Sequence, residues 1–281
     1  MSALEAPREL RKAGDTDAVT YSWADAETGL YGLARVATGI GPDGESASAL
    51  AGAFAGREPI GAIAEAGEQA PPELTATTEE PLTRWTLTAN SAELVFDLTF
   101  EALSPPAEYG GGRKGLAKAG GMEGYEQLCR VSGTVGETTL KGALGQRGHS
   151  WGNPDWDKIA LTRTLGAWQD DETAFLVQTV RPIKATNHAE ETYWGALVDG
   201  ERALAVEEPR LSTTSDEAGR QIRAGLELWV SEDDDYPLRG VGEVLAGSTL
   251  ELGALRLDVA FFGWHIEGRG AIGRYDILRR A

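Results

Sequence analysis

Ala92-Glu93-Leu94-Val95-Phe96-Asp97-Leu98-Thr99-Phe100 is the stretch that sets the fold class. Leu94, Phe96, Leu98 and Phe100 recur at every second position, opposite Glu93, Asp97 and Thr99. Successive side chains of an extended chain point to opposite faces, so this period of two marks a half-buried β-strand. Two more windows repeat it. In 222–230, Ile222, Ala224, Leu226, Leu228 and Val230 oppose Arg223, Glu227 and Trp229; in 255–262, Leu255, Leu257, Val259 and Phe261 oppose Arg256, Asp258 and Phe262. Further strands are predicted at 85–88, 127–135, 159–168, 174–181, 193–198 and 272–278. Many short strands punctuated by Gly, Asp, Asn and Pro predict an all-β chain, an antiparallel barrel or sandwich.

Helical spacing is confined to the first third, where a turn or two is predicted at 7–12 and a short helix at 47–57. The segment 103–121, with Ser104-Pro105-Pro106 at one end and Gly110-Gly111-Gly112 inside, reads as a loop. Arg113-Lys114 after that triplet does not make a phosphate loop, because the flanking strand, the helix and the Gly-Lys-Ser/Thr ending are missing.

At 281 residues the chain has room for one large β domain or two smaller ones. Its formal net charge of −18 repels polyanions, and no window concentrates Lys and Arg, so nucleic acid is not an expected partner. The acidic surface reads as solubilising. Apolar runs are far shorter than the roughly 20 residues that cross a bilayer, so no transmembrane segment is expected. The stretch from Met1 to Leu10 lacks a basic region followed by an apolar one, which reads as a cytoplasmic address. Cys129 is the single cysteine and can form neither an internal disulfide nor a cysteine zinc site; it reads as a small core residue. The run Glu232-Asp233-Asp234-Asp235 lacks the glycine and terminal glutamate of a calcium loop and reads as a solvated turn.

Histidine occurs at 149, 188 and 265 only, with no pair at helical ligand spacing, so no metal site is expected. The densest chemistry lies in Gly145-Gln146-Arg147-Gly148-His149-Ser150-Trp151-Gly152-Asn153-Pro154-Asp155-Trp156. Trp151 and Trp156 supply rigid apolar walls whose indole N–H groups need acceptors. His149 and Asp155 are the candidate proton donors or relays, and burial in an apolar cavity would favour their neutral forms. The same residues also suit a structural corner. Ser150 is no hydrolase nucleophile, since the Gly-x-Ser-x-Gly elbow is absent. Glu227 and Trp229 share a face with Arg223, which either lines a barrel lumen and binds ligand or faces solvent.

The segment from Gly145 to Trp156 resembles the Gly-x-Gly-x-Arg-Asp-His-Ser-Trp-Gly-x-Arg-Asp-Trp signature of the hydroxyneurosporene synthase (carotenoid 1,2-hydratase) superfamily. Flanking regions are also similar: Tyr21-Ser22-Trp23-Ala24-Asp25 with Gly29-Leu30-Tyr31-Gly32 and Arg35, Tyr125-Glu126-Gln127 with Arg130 and Gly133, and Gly268 to Tyr275. The resemblance implies two packed lipocalin-like (calycin) β domains, here divided as 1–143 and 144–281. It also implies an apolar pocket for an isoprenoid- or polyketide-like substrate. Members with known functions hydrate isoprenoid double bonds or guide cyclisations of polyketide chains. Gly148 stands where the pattern has Asp, and Pro154 where it has Arg. The carboxylate beside the histidine is therefore missing.

Three functions fit. The first is an enzyme that hydrates, dehydrates, isomerises or cyclises a hydrophobic substrate with no cofactor, using His149 or Asp155 as acid, Trp151 and Trp156 to stabilise cationic charge, and Tyr125 to hold a polar group. The second is a carrier of a hydrophobic small molecule, and the third a scaffold filled by its own side chains.

Overall fold

The computed structural model describes residues 3–109, 115–187, 190–231, 233 and 235–281. The glycine triplet with Arg113-Lys114, His188, and Glu232 and Asp234 of the acidic run lie outside the described residues. The chain forms two compact units, residues 1–106 with 122–154, and 107–121 with 155–281.

In the first unit, β1 (Thr16–Asp25), β2 (Leu30–Gly41), β3 (Gly44–Ala55), β4 (Glu58–Gly67), β5 (Leu74–Glu80), β6 (Arg84–Asn90) and β7 (Val95–Ala102) are joined by β9 (Met122–Val135) and β11 (Ala143–Gly152). Their order across the sheet is β4-β3-β2-β1-β11-β9-β7-β6-β5, antiparallel throughout, with β10 (Thr138–Thr139) paired to β9. The first strand pairs with the last, so a simple up-and-down meander curls into a lipocalin-like sheet, open between β4 and β5.

The second unit repeats this plan. Its strands are β12 (Ile159–Trp168), β13 (Thr173–Pro182), β14 (Thr192–Asp199), β15 (Arg202–Ala205), β16 (Glu208–Ser215), β17 (Gln221–Trp229), β18 (Leu238–Leu252), β19 (Leu255–Ile266) and β20 (Arg269–Arg280). Their order is β15-β14-β13-β12-β20-β19-β18-β17-β16, again with the first strand against the last. Strand for strand, the two orders are the same. The chain is all-β with two lipocalin-like domains.

The boundary lies after Pro154, whereas the sequence suggested 143/144. The physical reason is pairing: β11 bonds β1 on one side and β9 on the other, so it closes the first sheet.

The decisive alternation holds, since Leu94, Phe96, Leu98 and Phe100 are buried while Glu93, Val95 and Asp97 are exposed. In β19 both faces are buried. Phe262, grouped by alternation with the polar side, belongs to the core with Ala260, Trp264 and Ile266. The helix expected at 47–57 is β3: its alanines suit a helix, but Ala49, Ala51 and Ala53 fit a tightly packed core face between β2 and β4. No helix forms at 7–12, where the backbone is irregular and Asp15 accepts the N–H groups of Arg11 and Lys12. The segment 103–121, read as a loop, holds the two-residue β8 (Ala107–Glu108) and the one-turn α1 (Leu116–Gly120).

Each unit has its own apolar core. In the first, Trp23 meets Phe96 edge-on at 5.2 Å and Tyr21 meets Phe100 at 4.9 Å. In the second, Phe262 stacks on Trp264 at 5.4 Å. Cys129 is buried in the first core, where burial pushes its thiol well above the usual range. Among the described residues no helix is long and apolar enough to cross a membrane.

Candidate active site

On β11 the period of two puts Arg147, His149 and Trp151 on one face. Across the ladder Tyr125 of β9 lies opposite His149, and Gln127 opposite Arg147. Residues 4–8 of the amino-terminal segment lie against this face and meet it at three points.

At the first point the Glu5 carboxylate sits in a cradle of donors. Arg147 Nη2 donates to Oε2 at 2.8 Å, while Oε1 accepts from the Tyr125 hydroxyl at 2.8 Å, Trp85 Nε1 at 3.2 Å and the Leu82 N–H at 3.3 Å. The Arg147 and Glu5 side chains are 1% and 2% exposed, so this ion pair is cut off from water. Arg147 also donates to the Tyr125 hydroxyl and lies 4.9 Å from the Trp85 ring centre. Leu82 has φ 62°, the left-handed region that a branched side chain rarely occupies. That turn aims its N–H at Glu5, and its carbonyl accepts from Gln127 Nε2 at 3.2 Å. Tyr21, beside Arg147, is pushed up to about 12, mainly by burial.

The second point is His149, which is buried. Nδ1 lies 2.7 Å from the Leu4 carbonyl and Nε2 lies 2.6 Å from Asp17 Oδ1. A carbonyl only accepts, so Nδ1 carries a proton; donation from both nitrogens, the imidazolium form, satisfies both partners. Burial pushes the Asp17 carboxyl up, but hydrogen bonds from His149 and the Arg8 N–H outweigh it and hold it below the usual aspartate range. The third point is Trp151, whose ring is covered by the Arg8 guanidinium at 3.7 Å, a cation–π contact.

Of the seven residues singled out in the sequence, His149, Trp151 and Tyr125 converge here. The His149 ring is 5.0 Å from that of Trp151 and 6.1 Å from that of Tyr125. Asp155 and Trp156 do not join them, because β11 ends at Gly152 and both residues fall in the second unit. Asp155 is exposed and accepts from Lys158 Nζ at 2.6 Å. The expected shift toward its neutral form is reversed, since that hydrogen bond holds the carboxyl below its usual range. Glu227 and Trp229 lie on the outer side of β17, while Ala224, Leu226 and Leu228 face the core. Glu227 pairs there with Arg239 at 3.3 Å. Both Glu227 and Trp229 are half-buried on that outer side, away from the core face, so they do not line a lumen.

The span matched by a family model decides kinship: the model described as a domain of unknown function, DUF7064, covers residues 5–276. The chain belongs to the DUF7064 family. No curated protein sequence matches this member of the family. Kievitone hydratase from Nectria haematococca is similar in structure, with a TM-score of 0.62 and 10% identity over 95% of this chain and 89% of that one. CghA in complex with Sch210972 gives 0.62 and 11%, over 95% and 89%. An AttH-type protein from Nitrosomonas europaea gives 0.65 and 12%, over 94% and 91%. At these identities the likeness is one of fold, and at that level the resemblance to the carotenoid hydratase-like proteins holds.

Within this DUF7064 chain the departure from the superfamily signature at Gly148 has a physical explanation. Gly148 lies opposite Glu126, and a Cβ there would come within 2.5 Å of Glu126 Oε2. Glu126 is buried and accepts from Gln146 Nε2 at 2.7 Å, so the space beside Gly148 already holds a carboxylate. The group that orients His149 is instead Asp17, from β1. Glu5, Arg8 and Asp17 were missed by sequence reading because they lie far along the chain from the β11 residues they meet, Glu5 142 positions from Arg147 and Asp17 132 from His149, with no spacing to betray them. Arg147 lay inside the quoted motif, and its position two residues before His149 was the available signal.

Proposed function

We propose that this protein is a cofactor-independent enzyme of the hydratase or isomerase type. It acts on a hydrophobic isoprenoid- or polyketide-like small molecule, with His149 as the general acid. The observation that carries this reading is the His149 geometry: a protonated Nδ1 faces a replaceable carbonyl while Nε2 is held by a carboxylate. A substrate taking the place of Leu4 brings its double bond to Nδ1. In a hydration the π electrons form a new C–H bond as the N–H bond breaks, leaving a carbocation. The faces of Trp151 and Trp85 stabilise that cation, as Trp151 already does for Arg8. Water adds to the cation and returns a proton to the ring, so the catalyst is regenerated. Asp17 keeps the ring oriented, and Tyr125 and Arg147 hold an oxygen of the substrate.

Kievitone hydratase, whose name states an activity, supports the reaction class. The cytoplasmic address is part of the same reading. The test is incubation with kievitone and with an acyclic carotenoid in ¹⁸O-labelled water. Labelled hydrate is expected from the wild type, with kcat at least 100-fold lower in His149→Gln. Full turnover by His149→Gln removes this assignment.

The carrier reading is favoured by a different feature: both His149 ring nitrogens are hydrogen-bonded and Arg147 is ion-paired with Glu5 under the amino-terminal segment. It expects saturable quenching of tryptophan fluorescence by the same compounds and their recovery unchanged.

A further inference from the structure

The amino-terminal segment supplies an acceptor to His149, a carboxylate to Arg147 and a cation to Trp151, all within residues 4–8. We infer that this segment is an internal stand-in for the ligand, and that the Arg147 cradle is a carboxylate site. Its ligand is an organic acid with an apolar body, which displaces Glu5 when it binds. This site coincides with the one assigned to His149 above, and its location rests on that assignment.

The cradle has the make-up of an anion site. Four donors from β9, β11, β6 and the turn before β6 converge on one carboxylate, and three of them come from side chains buried to 1% exposure or less. One donor is a backbone N–H presented by a left-handed leucine, a conformation that costs energy and persists where the surroundings enforce it. Among the described residues Arg147 Nε is buried without a hydrogen-bond partner, so Glu5 leaves part of the guanidinium unused. A two-oxygen ligand seated more squarely can take that donor as well, since Arg binds carboxylates through paired N–H groups. The rest of the first unit is packed by Trp23, Phe96, Phe100 and Leu98. The volume held by the segment is therefore the one a ligand can take without dismantling the core. The faces of Trp85 and Trp151 give that volume apolar walls.

A tethered carboxylate competes at a high effective concentration. The external acid prevails through the apolar area that its body buries. Two consequences follow. A neutral ester of the same chain length binds weakly, and removal of the Glu5 charge tightens binding of the acid.

The experiment titrates tryptophan fluorescence with decanoate and with methyl decanoate, and follows amide hydrogen exchange over residues 3–12. For the wild type, decanoate is expected to bind at least tenfold more tightly than the ester and to speed exchange in 3–12. Glu5→Gln is expected to bind decanoate at least tenfold more tightly than wild type. Equal affinity for acid and ester, or slower exchange in 3–12 on binding, overturns the inference. So does an unchanged affinity in Glu5→Gln. If Glu5→Gln does not fold, the two wild-type measurements decide alone. Loss of the His149 assignment by the labelling test, with decanoate still preferred and the segment still released, would leave the carboxylate site standing without the chemistry. Turnover that depends on His149, with no preference for the acid over its ester, would do the reverse.

Discussion

Gly148 separates this chain from the signature it resembles, and the reason is volume. Its missing Cβ is the room in which Glu126 lies, so Gly148→Ala is expected to cost about 1–3 kcal/mol by overpacking. The urea midpoint checks this, and the Gly148→Ala/Glu126→Ala double variant should be more stable than the sum of the single losses. Asp17 sets a pH dependence. Its folded-state carboxyl titrates below the usual aspartate value, so it stabilises the fold fully above roughly pH 4 and loses that contribution as the pH falls through the folded value. Asp17→Asn should therefore lose about 2 kcal/mol at pH 7, measured by urea unfolding, and the gap to wild type should narrow at pH 3. At this scale the sequence was legible where chemistry is local. His149, Trp151 and Tyr125 were found because they sit in or beside one motif. Asp155 looked equivalent to them by proximity, yet the chain leaves the sheet at Gly152 and carries it to solvent.

At the scale of elements, the amino-terminal segment and β11 form one working unit. Glu5→Ala leaves Arg147 buried with its main partner gone, and an uncompensated buried charge costs about 3–5 kcal/mol. Decanoate should recover part of that loss in a thermal unfolding scan. Asp155→Asn breaks only an exposed pair with Lys158, and should change neither the unfolding midpoint nor turnover. Strands with large alternating side chains, such as β7 and β17, were legible, because size and spacing agree. β3 was not, since Ala49, Ala51 and Ala53 carry a helix former's propensity and too little bulk to show a period of two. The segment at 7–12 misled in the same direction, since hydrogen bonds to Asp15 and Asp17 replace those a helix would make.

At the scale of the whole molecule, one meander of strands is built twice, each time with its first strand closing on its last. The separate cores predict additive losses. Phe100→Ala and Phe262→Ala should each cost about 3–5 kcal/mol, and the double variant should match their sum within about 0.5 kcal/mol by chemical denaturation. The all-β class and the two-domain plan were readable from alternation and from the resemblance. The boundary was not, because a strand's partners are set by long-range pairing and β11 reads the same on either side of it. The proposed function rests on one face of the first unit, and turnover in ¹⁸O-labelled water by wild type and His149→Gln tests it most directly. Labelled hydrate of kievitone or the carotenoid from wild type, falling at least 100-fold in the variant, is the expected result. Labelled product formed equally by both proteins, or by neither, would contradict it.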